Sequence, residues 1–309
     1  MRKWMDRFEA MSMFLNAIEK GSLSAAARDM RVPVPTLSRK VADLETLLGT
    51  QLLTRTTRKL ILTDAGIAYA EAARRILEQV DEAERQAAGE FTAPRGELVV
   101  TAPVLFGRLH VLPLVADFLA QFPEVNVRLM LGDRNVNLVD DQIDMAVRIG
   151  KLPDSGMIAT RVGSMRRVIC ASPKLLKRQG IPRTPEELTR MPCVASIGVQ
   201  ALASGWSFRH PETGTDIDIP IFPRLATSAE AAVDAALRGV GFVCLRHYQV
   251  VDAVKCGKLR IVLEKYETEP APVHLIHATR GQMPLKMRSF LDFAAPRLRK
   301  ALTKIGSAT

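Results

Sequence analysis

Cysteines, aromatic residues and long apolar runs are all scarce in this chain. Its 309 residues include 4 cysteines, 2 tryptophans and 3 tyrosines. The cysteines, at 170, 193, 244 and 256, show no CxxC or metal-ligand spacing, which excludes a zinc ribbon and a disulfide-stapled fold. Cys170 and Cys244 lie in apolar runs and are expected to be buried small hydrophobes. No run reads as the ~20 apolar residues of a membrane span. The stretch Met1–Ile18 is broken by Asp6, Glu9 and Asn16, unlike a secretory signal. A cytoplasmic protein is expected. G-x-S-x-G and the P-loop are absent, and the glycines at 239 and 241 follow a helix pattern and lack the rest of a dinucleotide fingerprint. His274 and His277 are three apart on an expected strand, so they face opposite sides and cannot share a metal. Enzymatic activity, a cofactor and a metal are therefore not expected.

The length suits two or three domains with ample core. Net charge is +10, consistent with a polyanionic partner but silent on where it binds. Residues 1–90 hold 14 Lys+Arg against 13 Asp+Glu, and residues 91–309 hold 29 against 20. The N-terminal part is thus almost neutral, and what stands out there is local: six basic and two acidic residues between 31 and 59.

That cluster sits in a helix-turn-helix pattern. Phe8, Met11, Leu15 and Ile18 form a helical stripe, and Gly21 is placed to end that helix. Ser24 can cap a second, alanine-rich helix. Pro35 fits the first turn of a third, whose stripe is Leu37, Val41, Leu44 and Leu48 and whose end is Gly49. Thr36, Ser38, Arg39 and Lys40 lie off the stripe, where hydroxyls and cations reach phosphates and base edges. Arg55, Thr56, Arg58 and Lys59, between Leu52-Leu53 and Leu60-Ile61-Leu62, read as the tip of a wing.

Ala25-Ala26, Leu37-Ser38-Arg39, Leu44-Glu45, Leu48-Gly49, Leu52-Leu53, Arg55, Leu62-Thr63 and Gly66 together resemble the signature of LysR-type transcriptional regulators. The resemblance covers essentially the whole chain. It implies that Val34, Pro35, Ser38 and Arg39 enter the major groove and that Arg55 and Arg58 hold phosphate or minor groove. Two positions depart from the pattern: Pro33 replaces the usual Ser or Thr cap, and Val34 replaces a common Gln.

From Thr63 to Gly89 the pattern is one long helix, about 25 residues and roughly 37 Å. Tyr69, Ala73, Ile76, Val80, Ala83 and Ala87 recur as a heptad seam, which favours self-association. The resemblance implies a dimer through this helix, often paired into a tetramer. Two reading heads would then meet an imperfect palindrome.

Residues 92–96 read as a hinge. Beyond them, expected strands at 97–102, 126–131 and 145–149 alternate with helices ending near Phe122 and covering 137–142. A second unit follows, with strands 167–171 and 241–245 and helices 173–179 and 228–238. Strand 273–277 and helix 285–302 return to the first. The alternation implies parallel sheets covered by helices. The expected fold is α/β: a winged helix-turn-helix (1–63), a linker helix (64–90) and a two-lobed effector domain like periplasmic binding proteins (91–309). Its lobe I is about 91–165 with 269–309, and its lobe II about 166–268.

Ligands of open α/β sheets sit at the carboxyl ends of strands, near helix N-termini. Thr101, Ala102 and Pro103 in the first lobe and Thr227 and Ser228 in the second occupy such junctions. Arg148 could pair with a carboxylate, and Ser196, Ile197 and Phe242 could form other walls. The resemblance implies a ligand-responsive regulator acting on promoter DNA and RNA polymerase. The alternatives are a constitutive repressor without effector, a thiol redox-responsive regulator, and an α/β enzyme with an appended reading head.

Overall fold

The computed structural model describes residues 6–55, 60–87, 93–134, 136–153, 156–196, 205–278 and 283–306, without the side chains of Arg55, Glu82 and residues 85–87. The chain divides into two compact units, Met1–Thr92 and Ala93–Thr309.

The first unit opens with α1 (Arg7–Glu19), where the Asp6 carboxylate accepts the N–H groups of Phe8 and Glu9. Its inward face is Ala10, Met13, Phe14 and Ala17, with Met11 also buried, while Phe8 is 49% exposed. The expected Phe8–Ile18 stripe was therefore rotated. Apolar residues surround this helix, and its alanines allow close approach to Ala26 and Ala27 of α2 (Leu23–Asp29). Ser22 caps α2 through the Ala25 N–H, so Ser24 lies inside the helix, not at its start.

The third helix, α3 (Val34–Leu48), buries Leu37, Val41 and Leu44 completely and leaves Leu48 exposed. Gly49 ends it at φ 68. Strands β1 (Leu53–Arg55) and β2 (Leu60–Leu62) pair antiparallel, as a wing requires. The long helix α4 (Asp64–Ala87) follows. Thr63 Oγ1 accepts the Gly66 N–H and donates to Gln51 O. A β-carbon on Gly66 would lie 2.0 Å from Leu52 O, so only glycine lets the strand pass this close.

The second unit has two lobes. The first contains β3 (Gly96–Ala102), α5 (Val104–Phe106), a π-helical turn (Gly107–Val111), α6 (Leu112–Gln121), β4 (Val125–Leu131), β5 (Met145–Ile149) and β6 (Ile158–Met165). The second contains β7 (Arg167–Ala171), α7 (Pro173–Gln179), a 3-10 turn (Pro185–Arg190), β8 (Cys193–Ser196), β9 (Gly205–Arg209), β10 (Asp216–Pro220), β11 (Pro223–Thr227), α8 (Ala229–Leu237), β12 (Phe242–Arg246), α9 (His247–Lys255), β13 (Arg260–Val262) and a 3-10 turn (Glu264–Tyr266). Strand β14 (Ala271–His277) and α10 (Leu285–Gly306) return to the first lobe.

The sheet orders are β4-β3-β5-β14-β6 and β11-β8-β12-β7-β13. Both sheets are mixed. The strands that cross between lobes run antiparallel to their neighbours: β14 against β5 and β6, and β7 against β12 and β13. This corrects the expectation of parallel sheets. The helix expected at 137–142 is a hydrogen-bonded turn closed by Gln142 in the left-handed region, φ 56.

Each lobe has its own core. Phe106, Phe118, Phe290 and Leu298 fill the first, with Phe118 edge-on to Phe290 at 5.1 Å. Trp206, Phe208 and Phe242 fill one face of the second. The helical run Val104–Gln121 is, by length and composition, apolar enough to cross a membrane, contrary to the sequence reading. Its Leu105, Phe106, Val111, Val115 and Phe118 instead pack the first lobe's core.

Candidate nucleic-acid interface and effector cleft

Burying Leu37, Val41 and Leu44 turns the opposite face of α3 outward. Val34 is 40% exposed, Pro35 and Arg39 are exposed, and Thr36, Ser38 and Lys40 are half-buried. Pro33 caps the helix without a side-chain hydrogen bond. The face therefore offers an apolar tip and a guanidinium fork with no partner among the described residues, a shape that fits thymine methyls and guanine edges. Lys40 is different. Its ammonium is ion-paired to Glu9 of α1, which makes it part of the packing between the two helices. Thr56, Arg58 and Lys59 lie outside the described residues, as does the Arg55 side chain.

The linker helix divides its expected seam. Ala73 is fully buried, and Tyr69 packs against Phe14 of α1 at 5.9 Å between ring centres. These two serve the reading head itself. Ile76 is 37% exposed, Val80 half-buried and Ala83 exposed; the Ala87 side chain is outside the described set.

In the second unit, Thr101 and Ala102 are buried at the end of β3, and Pro103 precedes α5. Thr101 is thus a strand residue and does not cap a helix. The Val104 N–H donates to Asp133 Oδ1 at 3.0 Å. Thr227 ends β11, and Ser228 Oγ accepts the Ala231 N–H of α8 at 3.4 Å. Ser196 is half-buried at the end of β8, and Ile197 lies outside the described residues. Phe242 is fully buried in the second lobe's core, which corrects its expected place as a cleft wall.

Arg148, near the end of β5, is half-buried. Its Nη1 donates to Val147 O at 3.2 Å, while Nη2 is wholly buried and has no hydrogen-bond partner among the described residues. Burial alone lowers its pKa from the ordinary arginine value. Its register partner on β14 is His274, whose Nδ1 is also buried and without a partner among the described residues.

Two sets of contacts that sequence reasoning missed bring the lobes together. Arg108 of the π-helical turn is ion-paired to Glu230 of α8 at 3.5 Å. Tyr248 of α9 sits edge-on to Phe106 at 5.3 Å and near His110 at 5.8 Å. Burial pushes the Tyr248 phenol up to about 12, with Asp133 and Glu230 adding to the rise. A signal for Tyr248 existed: it follows the carboxyl end of β12, where the strand-end rule already pointed. No group of His, Cys, Asp and Glu able to hold a metal occurs among the described residues.

The bacterial regulatory helix-turn-helix profile of the lysR family matches residues 8–67, and the LysR substrate binding domain profile matches residues 92–299. The chain belongs to the LysR family of transcriptional regulators. An HTH-type transcriptional regulator of Xanthomonas campestris pv. campestris is 34% identical over 288 residues, 93% of this chain and 84% of the relative. The solved structure of CrgA, a LysR-type regulator from Neisseria meningitidis, is 30% identical, has a TM-score of 0.60 and covers 94% of this chain and 98% of its own. The full-length Vibrio cholerae virulence activator AphB, at 24% identity and TM-score 0.59, shares the fold over 93% of this chain and 98% of its own. This LysR-type regulator therefore combines a DNA-binding head with a two-lobed regulatory domain.

Proposed function

We propose that this regulator reads an imperfectly palindromic promoter site as a homodimer or homotetramer. Val34, Pro35, Thr36, Ser38 and Arg39 meet the major groove, and Arg55, Thr56, Arg58 and Lys59 meet the backbone from the wing. Ile76, Val80, Ala83 and Ala87 form the helical seam between subunits. The observation that carries the reading is the outward face of α3: Arg39 exposed beside Val34 and Pro35 while the helix's apolar stripe is fully buried. Footprinting on the promoter region of the adjacent gene tests it, and an unprotected region in parent and variants alike would reject that target.

The regulatory domain accepts a small anionic molecule between its lobes and passes its occupancy to RNA polymerase in the cytoplasm. Supporting this are the buried, unpartnered Arg148 Nη2 and the strand ends at Thr101 and Thr227. Thermal shift with aromatic and aliphatic carboxylates is the test, and a flat response in the parent would count against an anionic effector. Three observations favour a constitutive regulator instead. The Val104 N–H already has Asp133, Ser228 serves its own helix, and Arg108 and Glu230 bridge the lobes. A thiol switch finds less support. Burial pushes Cys170 and Cys193 up to about 12 and raises Cys244. Cys244 faces Ile169 in register, so Cys170 points to the other side of the sheet.

A further inference from the structure

Arg31 lies in the turn between α2 and α3, in the left-handed region at φ 55. Its N–H donates to Arg28 O at 3.2 Å, and the Val32 N–H donates to Ala27 O at 2.9 Å. These are the two bonds of a Schellman ending, closed by the half-buried Val32 against the head's core. Helices α1, α3, α8 and α9 also end on a left-handed residue, and each time it is glycine: Gly21, Gly49, Gly239 and Gly257. At α2 alone among these, the position that glycine fills without strain carries a long cationic side chain.

That side chain does nothing for the turn. Arg31 is exposed, and among the described residues its guanidinium makes no hydrogen bond or ion pair. The nearby carboxylate of Asp29 is occupied by Lys20 and Asn16. Arg31 stands two residues before Pro33, the cap of α3, whose Val34, Pro35 and Arg39 face outward. When a second helix lies in the major groove and the first crosses the backbone, the turn between them passes the phosphates at the groove edge.

We propose that Arg31 is a phosphate-anchoring residue of the reading head, held in a left-handed turn so that its guanidinium sets the register of α3 on the duplex. It fixes position and carries no base information. The proposal rests on α3 being the groove helix.

The test uses the full chain, a short fluorescein-labelled duplex of mixed sequence, anisotropy over a salt series, and melting curves. Arg31→Gly is expected to melt no lower than the parent, because glycine suits the turn. It should bind roughly ten-fold more weakly. The slope of log affinity against log salt should become shallower by about 0.9 for each head on the duplex. Arg31→Lys should keep the parent's slope. An Arg31→Gly protein with the parent's affinity and slope overturns the proposal, and so does one that melts lower, which would make Arg31 a folding residue. Arg39→Ala run beside them on a specific promoter duplex must weaken binding more than on the mixed one; if it does not, the groove assignment of α3 falls first.

Discussion

Arg166 grips Glu267 with both prongs of its fork: Nε and Nη2 each donate to one carboxylate oxygen at 2.8 Å. Arg166 is the single residue between β6 and β7, and Glu267 lies on the returning segment before β14. The pair therefore ties the two passages between lobes to each other, and the partnership raises the Arg166 pKa.

Glu267→Gln should destabilise the second unit by about 1–2 kcal/mol, since it removes a charge-assisted, partly buried bidentate contact but leaves one oxygen to accept. Calorimetry of the full chain checks this. A melting temperature equal to the parent's would mean that Glu264, 3.4 Å from Arg166 Nη2, replaces Glu267 fully.

The histidines give the second unit a stated pH dependence. Burial lowers the pKa of His110, His247, His274 and His277 from 6.5. Arg166 and Lys255 push His247 further down and Arg161 does so for His274, while Asp252 partly offsets the shift at His110 and Glu267 at His247. The unfolded chain then binds protons that the fold refuses. Stability should be unaffected above the unfolded value and fall as pH drops through it. Urea melts across that range should show the loss, and His247→Phe, with the largest set of opposing cations, should reduce it.

Arg39 and Lys40 are neighbours with different tasks. Arg39→Ala should lower specific binding by roughly 1–3 kcal/mol relative to mixed-sequence DNA. Lys40→Met should leave that ratio intact and cost about 0.5 kcal/mol of stability through its lost pair with Glu9. Anisotropy on specific and scrambled duplexes separates them; a specificity loss in Lys40→Met would return Lys40 to the DNA face.

Ile76→Glu combined with Val80→Glu should yield monomers with folded domains, because two carboxylates in an apolar seam desolvate without partners. Sedimentation reads the result directly. Dimers in the double variant would place the subunit contact elsewhere.

What the sequence disclosed was what is decided locally. The α3 stripe, the Gly49 ending, the wing strands and the Thr63 cap all follow from spacing within one helix or hairpin. The α1 stripe was misread because apolar residues occupy most of that helix, and only its neighbours choose between Phe8 and Phe14. The parallel sheets were misjudged for a similar reason: β14 and β7 take their direction from a chain that leaves one lobe and comes back. Arg108 meets Glu230, and Phe106 meets Tyr248, across more than a hundred residues, a distance at which periodicity says nothing. Lys40 reads from the sequence as a DNA contact because its partner Glu9 is on another helix.

Thr63 gives its hydroxyl to Gln51 while taking the Gly66 N–H, and Gly66 lets Leu52 press against the same first turn of α4. With Tyr69 seated on Phe14 as well, the reading head and the start of the linker helix are one solid piece. A helix of 24 residues, about 36 Å long, is then a lever arm and not a tether. In the proposed dimer, a rotation where two such arms cross would be carried to the α3 helices, as a change in the stretch of duplex between the half-sites they can occupy together.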